Sequence, residues 1–248
     1  MEEIGLASLR IVLVEPAGAM NVGSVARVMK NFGLQHLVLV NPQCDIGLEA
    51  KQMAVHAQDV LESAVSVATL PSALQGCVRA IATTARVRDW DTPLETPRDA
   101  FPWLLEELAL PVALIFGRED RGLTNEELNY AQRFVCVPTS SIYPSLNLAS
   151  AVGICCYELS QCLKQTANHP NREIELAPME VVEGYYQQLE SLLLKIGYLF
   201  PHTAASRMEK LRQIYNRAGL QTREVSMLRG ILRQIKWAME SESDRPKL

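Results

Sequence analysis

The chain has 248 residues, 48% hydrophobic and 21% charged, which allows one large domain or two smaller ones with ample core. Six cysteines without a CxxC pair and four widely separated histidines fit neither a disulfide scaffold nor zinc-ligand spacing, so a reduced cytoplasm and no metal are expected. No apolar run approaches the roughly 18 residues of a membrane span, and the N-terminus lacks the pattern of a signal peptide.

The net charge of −4 is unevenly spread. Residues 203–239 hold eight Lys/Arg against two acids, +6, which leaves −10 for the remainder. That asymmetry has two readings: a polyanion-facing end, or helices with solvated basic faces.

In chain order, residues 10–14 (Arg-Ile-Val-Leu-Val) read as the first strand. Asn21 then caps a helix over 22–32, closed by Gly33. A second strand falls at 37–40, with helical pieces between 47 and 63 and a short strand at 65–68. A short helix at 71–76 has proline in its first turn, and 78–83 is a strand. The loop 85–95 carries Arg86, Arg88 and Trp90, and Thr96-Pro97 opens a helix to 109. The run Val112 to Phe116 is apolar throughout, as in a strand buried on both faces. Gly117, a charged loop and Gly122 follow, then Thr124 and Glu127 at capping-box spacing. The last strand spans 134–137, and a Pro/Ser-rich loop leads into an apolar helix over 146–164, whose cysteines Cys155, Cys156 and Cys162 read as core.

Alternating strands and helices with two-sided apolar strands predict an α/β fold with a mostly parallel sheet over 1–167. A polar, proline-containing stretch at 168–178 reads as a linker. Three helices, 179–197, 203–218 and 222–240, make a small all-α extension, and 241–248 is a fraying tail.

The usual nucleotide motifs are missing. There is no G-x-G-x-x-G after the first strand, no P-loop and no G-x-S-x-G elbow. Three segments remain, each at a strand's end and each leading into a helix: Asn21-Val-Gly-Ser-Val-Ala-Arg27, Phe116 to Asn125, and Tyr143-Pro-Ser-Leu-Asn-Leu-Ala149. A loop at the carboxyl end of a buried strand is either a ligand site or a solvated connection.

Together and in this order they resemble the motifs of SPOUT-class RNA methyltransferases, in the TrmH-like ribose 2′-O branch: N-x-G-S-x-A-R, F-G-x-E-x-x-G-L and S-L-N-x-A. Met208-Glu-Lys-Leu-Arg212 and Ser226-Met-Leu-Arg-Gly-Ile-Leu232 look like the extension of the TrmJ-type enzymes, tRNA (cytidine/uridine-2′-O-)-methyltransferases acting at nucleotide 32 of the anticodon loop. The resemblance implies a deep trefoil knot, a homodimer, tRNA as substrate, and S-adenosyl-L-methionine as methyl donor, leaving as S-adenosyl-L-homocysteine. A related ribose methyltransferase for rRNA or another tRNA position, and a catalytically idle RNA-binding dimer, are the alternatives.

Carried over residue by residue, the cofactor pocket is Thr83, Thr84, Ala85, Gly117, Val137, Pro144, Ser145 and Leu146. Adenine needs a flat apolar slot with a few main-chain partners, and Gly117 lets backbone approach it without a Cβ. Arg27 matches the catalytic arginine. A guanidinium is a poor proton acceptor, so Arg27 is expected to hold a phosphate and stabilise charge developing on the ribose oxygen. Ser145 either bonds the hydroxyl or caps the following helix. Asn21, Glu119 and Asn147 are supporting residues: Asn21 as a cap, Asn147 in a first helical turn, and Glu119 paired with Arg118 or Arg121 or fixing the loop across the dimer. Tyr143 stacks on a base or packs in the core; Arg86 and Arg88 grip phosphates or are merely solvated. In the extension, Arg207, Lys210, Arg212 and Arg229 are the candidate RNA contacts. Met53, Trp103 and Leu104 read as core.

Overall fold

A computed structural model of the chain describes residues 6–85, 94–107, 109–166 and 176–243. The chain divides into two compact units, Met1–Arg172 and Glu173–Leu248.

In the first unit, seven strands among the described residues form one sheet in the order β3-β2-β1-β6-β4-β7-β5. They are β1 (Leu9–Val14), β2 (His36–Val40), β3 (Val65–Val67), β4 (Arg79–Thr83), β5 (Leu94–Glu95), β6 (Val112–Phe116) and β7 (Arg133–Val135). Every pairing is parallel, with Val12 opposite Val38 on one side and Ile115 on the other. β6 is buried at all five positions, the burial expected of a central strand covered on both faces. β5 was not foreseen: two residues inside an expected loop pair with β7.

The chain builds outward through β1, β2 and β3, then returns to place β4 beyond β6. The order therefore reverses beside β6, and the carboxyl ends of β4, β6 and β7 open onto a common crevice.

Helix α1 (Ala19–Asn31) buries Val22, Val25, Ala26 and Met29, the one-face spacing of an amphipathic helix. It starts three residues earlier than expected and its N-cap is Gly18, so Asn21 does not cap it. Gly23 lies against α2 (Leu48–Ala54): a Cβ there would fall 2.2 Å from the Ala50 carbonyl oxygen. Met53 is 39% exposed, so the core reading fails for it, whereas Leu104 is fully buried. The guanidinium groups of Arg79 and Arg133 each lie over the Trp103 ring, 4.6 Å from its centroid. The short helices α3 (Gln58–Glu62) and α4 (Leu70–Ala73) precede β4, and α5 (Pro97–Leu105) stops four residues before its expected end. α6 (Asn125–Leu128) carries the expected capping box between Thr124 and Glu127. α7 (Leu148–Thr166) packs on α1 and α5 and buries Cys155, Cys156 and Cys162. Burial pushes the Cys156 thiol up to about 12.

The second unit comprises α8 (Met179–Lys195), α9 (Ala204–Ala218) and α10 (Thr222–Ser243). Its core holds Tyr185, Tyr186, Leu189, Leu199, Met208 and Val225. The Tyr186 hydroxyl donates to Asn216 Oδ1 at 2.6 Å, satisfying the one polar atom of a buried ring. No described helix is long and apolar enough to cross a membrane.

Candidate active site

The crevice at the strand ends is a cleft of about 400 Å³. Three loops wall it. Thr83 ends β4 and Thr84 and Ala85 follow it; Gly117 and the charged turn 118–122 follow β6; Val137, Pro144, Ser145 and Leu146 come from the loop after β7. Phe116, Val135 and Leu148 add apolar surface. All eight residues assigned to the cofactor thus line one cavity.

Local hydrogen bonds explain the loop shapes. The Thr83 hydroxyl donates to the Ile115 carbonyl at 3.0 Å, and the Thr84 amide to the Val135 carbonyl at 2.9 Å, so this loop continues the sheet. The turn after β6 closes when the Gly122 amide donates to the Arg118 carbonyl at 2.8 Å. Gly122 has φ +70°, and a Cβ on Gly117 would lie 2.3 Å from the Gly122 carbonyl carbon and the Leu123 nitrogen. Gly117 therefore lacks a side chain so that its own turn can close.

Glu119 pairs with neither Arg118 nor Arg121. Its carboxylate accepts from the Ala17 amide (2.9 Å), the Gly18 amide (3.0 Å) and Asn21 Nδ2 (3.0 Å). It thereby latches the turn to the N-terminus of α1, where orphan amides and the helix dipole favour an anion. Burial pushes this carboxyl up, but the Ala17 amide, the Asn21 side chain and the Gly18 amide together hold it below the ordinary carboxylate range.

Asn21 in turn accepts from Asn147 Nδ2 at 3.0 Å. Asn147 Oδ1 accepts from the amides of Ala149 and Ser150, so Asn147, not Ser145, caps α7, which begins at Leu148. One hydrogen-bonded chain, Asn147 to Asn21 to Glu119, hence ties all three motif segments together. Freed from capping, Ser145 lines the cleft with its residue exposed.

A second set of contacts was not foreseen. Arg121 donates to Glu15 at 2.8 Å and to both oxygens of Glu127 at 2.9 Å, bracing the turn against β1 and α6. Hydrogen bonds from Arg121 and Asn41 hold the Glu15 carboxyl below its ordinary range. Sequence spacing contained only the Thr124–Glu127 half of this arrangement.

Arg27 is exposed on α1 and is not among the residues lining the cleft. Tyr143 is 78% exposed, which removes its core reading. Arg86, Arg88 and Trp90 lie outside the described residues. In the second unit, Arg207 donates to the Tyr198 carbonyl and stacks over that ring at 5.5 Å. Arg212 is bidentate to Glu183 at 2.6 and 2.7 Å and lies 4.5 Å over Tyr186, so its charge is neutralised within the fold. Lys210 is exposed, while Arg229 donates from Nε to Gln188 at 3.0 Å.

Residues 8–157 match the model of the SpoU rRNA Methylase family. The chain belongs to that family. Residues 180–245 match the C-terminal domain of tRNA methyltransferase TrmJ. The chain is 40% identical over 235 residues to a Pectobacterium atrosepticum tRNA (cytidine/uridine-2′-O-)-methyltransferase TrmJ, covering 93% of this chain and 98% of the relative. A Pseudomonas aeruginosa relative, named tRNA (cytidine/uridine/adenosine-2′-O-)-methyltransferase TrmJ, is 39% identical over 239 residues, with 92% and 93% covered. The crystal structure of TrmJ from Z. mobilis superposes with a TM-score of 0.82 at 33% identity, covering 93% of this chain and all of that one. The resemblance drawn from the three motifs is thus borne out: the chain is a SpoU-family, TrmJ-type methyltransferase.

Proposed function

We propose that this methyltransferase transfers a methyl group to the ribose 2′-oxygen of cytidine or uridine at nucleotide 32 of the tRNA anticodon loop, in the cytoplasm. The observation that carries the reading is the meeting of three distant motif loops on one cleft, locked by the Asn147–Asn21–Glu119 chain.

The cleft fits S-adenosylmethionine in size and chemistry: apolar side chains for a planar base, and loop residues 84–85, 137 and 144–146 along its polar edge. When bound, this group supplies an electrophilic methyl on a sulfonium. The protein's task is to align the ribose oxygen, favour loss of its proton and exclude water. Ser145, which lines the cleft and does not cap α7, hydrogen-bonds the hydroxyl in this reading. Arg27 holds a backbone phosphate and stabilises negative charge on the attacking oxygen. Glu119 is not the base, since its carboxylate is committed to three donors and held in the ionised form.

Further parts of the proposal are the trefoil knot, a homodimer, and a domain division at 1–167, 168–178 and 179–248. The convergence of loops after β4, β6 and β7 supports the first. Exposed Met20, Ile154 and Tyr157 on the packed pair α1 and α7 support the second. The basic helices of the second unit support its role in holding RNA.

Mapping ribose methylation on tRNA incubated with the enzyme and labelled S-adenosylmethionine tests the reading. A single new mark at nucleotide 32 is expected. Methylation confined to rRNA or to another tRNA position moves the substrate, and failure to bind the methyl donor leaves only the idle RNA-binding dimer.

A further inference from the structure

Four charged side chains line the cleft among the described residues, all from the turn after β6: Arg118, Glu119, Asp120 and Arg121. Two of them are committed. Glu119 accepts three hydrogen bonds at the start of α1, and Arg121 is held by Glu15 and Glu127. The other two, Arg118 and Asp120, meet each other, with Nε 3.0 Å from Oδ1. That pair is incomplete. Solvent does not reach the Arg118 Nε, yet this nitrogen has no hydrogen-bond acceptor among the described residues, Asp120 included. The contact is one of charge alone, without an aligned N–H bond.

The main chain beneath the pair is fixed, because the Arg118 carbonyl accepts from the Gly122 amide at 2.8 Å. A closed turn thus presents a partly buried cation and an exposed anion to the cleft. An ion pair at such exposure contributes little to stability, and a guanidinium N–H shut off from water without an acceptor is unfavourable. The fold gains little from the pair as it stands, and an oxygen ligand would complete it.

The walls away from this turn are of another kind: Val135, Val137 and Leu148 are apolar and suit a planar base. A donor whose adenine sits there carries an α-amino acid head at its far end, a carboxylate and an ammonium on one carbon. Drawing that head out of water requires both signs of charge close together. We infer that Arg118 and Asp120 form the subsite for the amino-acid head of the methyl donor, Arg118 taking the carboxylate and Asp120 the ammonium. A guanidinium offers a carboxylate a planar, two-pronged edge, of which Nε is one prong. Held at both ends, the donor has little freedom at the sulfur between them, which is the alignment methyl transfer needs. The inference rests on the methyltransferase reading given above and deepens it, whichever RNA is the substrate.

The test is calorimetry on the full chain with three probes: S-adenosylhomocysteine, its decarboxylated form, and 5′-methylthioadenosine, which lacks the head altogether. Wild type is expected to bind them in that order of falling affinity. Arg118→Met lowers the affinity for S-adenosylhomocysteine roughly 10–100-fold, as expected for lost hydrogen bonds to a charged group, and does not weaken the other two. Asp120→Asn weakens S-adenosylhomocysteine and the decarboxylated form roughly 2–5-fold and spares 5′-methylthioadenosine. Equal wild-type affinity for S-adenosylhomocysteine and 5′-methylthioadenosine overturns the subsite, and so does an equal loss of all three ligands in the variants, which would leave the pair as a mere shaper of the turn. Variants that keep full affinity for S-adenosylhomocysteine but bind tRNA less well assign Arg118 to the RNA and overturn it too. In each of these cases the methyltransferase reading stands. A wild-type chain that binds none of the three probes overturns both.

Discussion

Replacing Glu119 with Gln removes a charge while keeping the shape. In the wild type one carboxylate accepts three hydrogen bonds from the start of α1. A glutamine keeps one acceptor oxygen and turns an NH₂ toward a remaining donor. Hydrogen bonds to charged groups contribute about 1.5–3 kcal/mol, and the Ala17 amide is exposed enough to recover water, so a loss of about 2 kcal/mol is expected. In a unit of this size that is a fall in Tm of about 4–8 °C. The folded carboxyl titrates below its unfolded value of about 4.3, so its stabilisation is present above that pH and disappears as pH falls through the folded value. Wild type and Glu119→Gln should therefore differ at pH 7 and converge in acid, where the native carboxyl is also neutral. Urea titration followed by tryptophan fluorescence in a Trp237→Phe background reads the first unit, since Trp90 and Trp103 both belong to it. No difference at pH 7, or an equal difference at pH 3, would show that the charge on Glu119 does not hold the turn to α1.

Two further outcomes are expected. Arg27→Ala abolishes methyl transfer and leaves binding of S-adenosylmethionine, read by calorimetry, nearly intact, because Arg27 does not line the cleft; loss of binding would place it there. Gly23→Ala and Gly117→Ala each force a methyl to within 2.2–2.3 Å of backbone atoms and lower stability by about 1–3 kcal/mol, whereas a tolerated alanine at either position would show that the facing backbone yields.

The fold was legible because its strands obey burial closely. Val112 to Phe116 is apolar at every position, and only a central strand of a parallel sheet asks for that. β5 was not legible, since two residues cannot display a period and their pairing is set by β7. Two helix starts moved. Gly18 stands at the N-cap of α1 where Asn21 was expected, with Asn21 bonded to Glu119 across 98 residues of sequence, and Asn147 caps α7 where Ser145 was expected. A cap rule reads only local neighbours and is overruled when a distant carboxylate competes. The cleft residues were found through three spaced motifs, but contacts within them were not: Gly117 is also required by its own turn, and Glu119 serves a helix terminus and not Arg118 or Arg121.

Placement of these residues bears on selectivity. A ribose 2′-hydroxyl occurs on every nucleotide of RNA, so the transfer chemistry cannot choose among them. Phosphate contacts fix register but carry no sequence information, and the role proposed for Arg27 is of that kind. Choice must then fall to groups that meet a base or its unstacked ring. At the cleft's rim, Ile142 and Tyr143 stand 92% and 78% exposed beside Pro144 and Ser145. An aromatic ring left exposed next to Ser145 is not held there by core packing, and a splayed loop nucleotide would offer it a flat surface. On the proposed reading, the loop after β7 serves both demands of the reaction, with Ser145 for the ribose hydroxyl and Tyr143 for what the RNA presents.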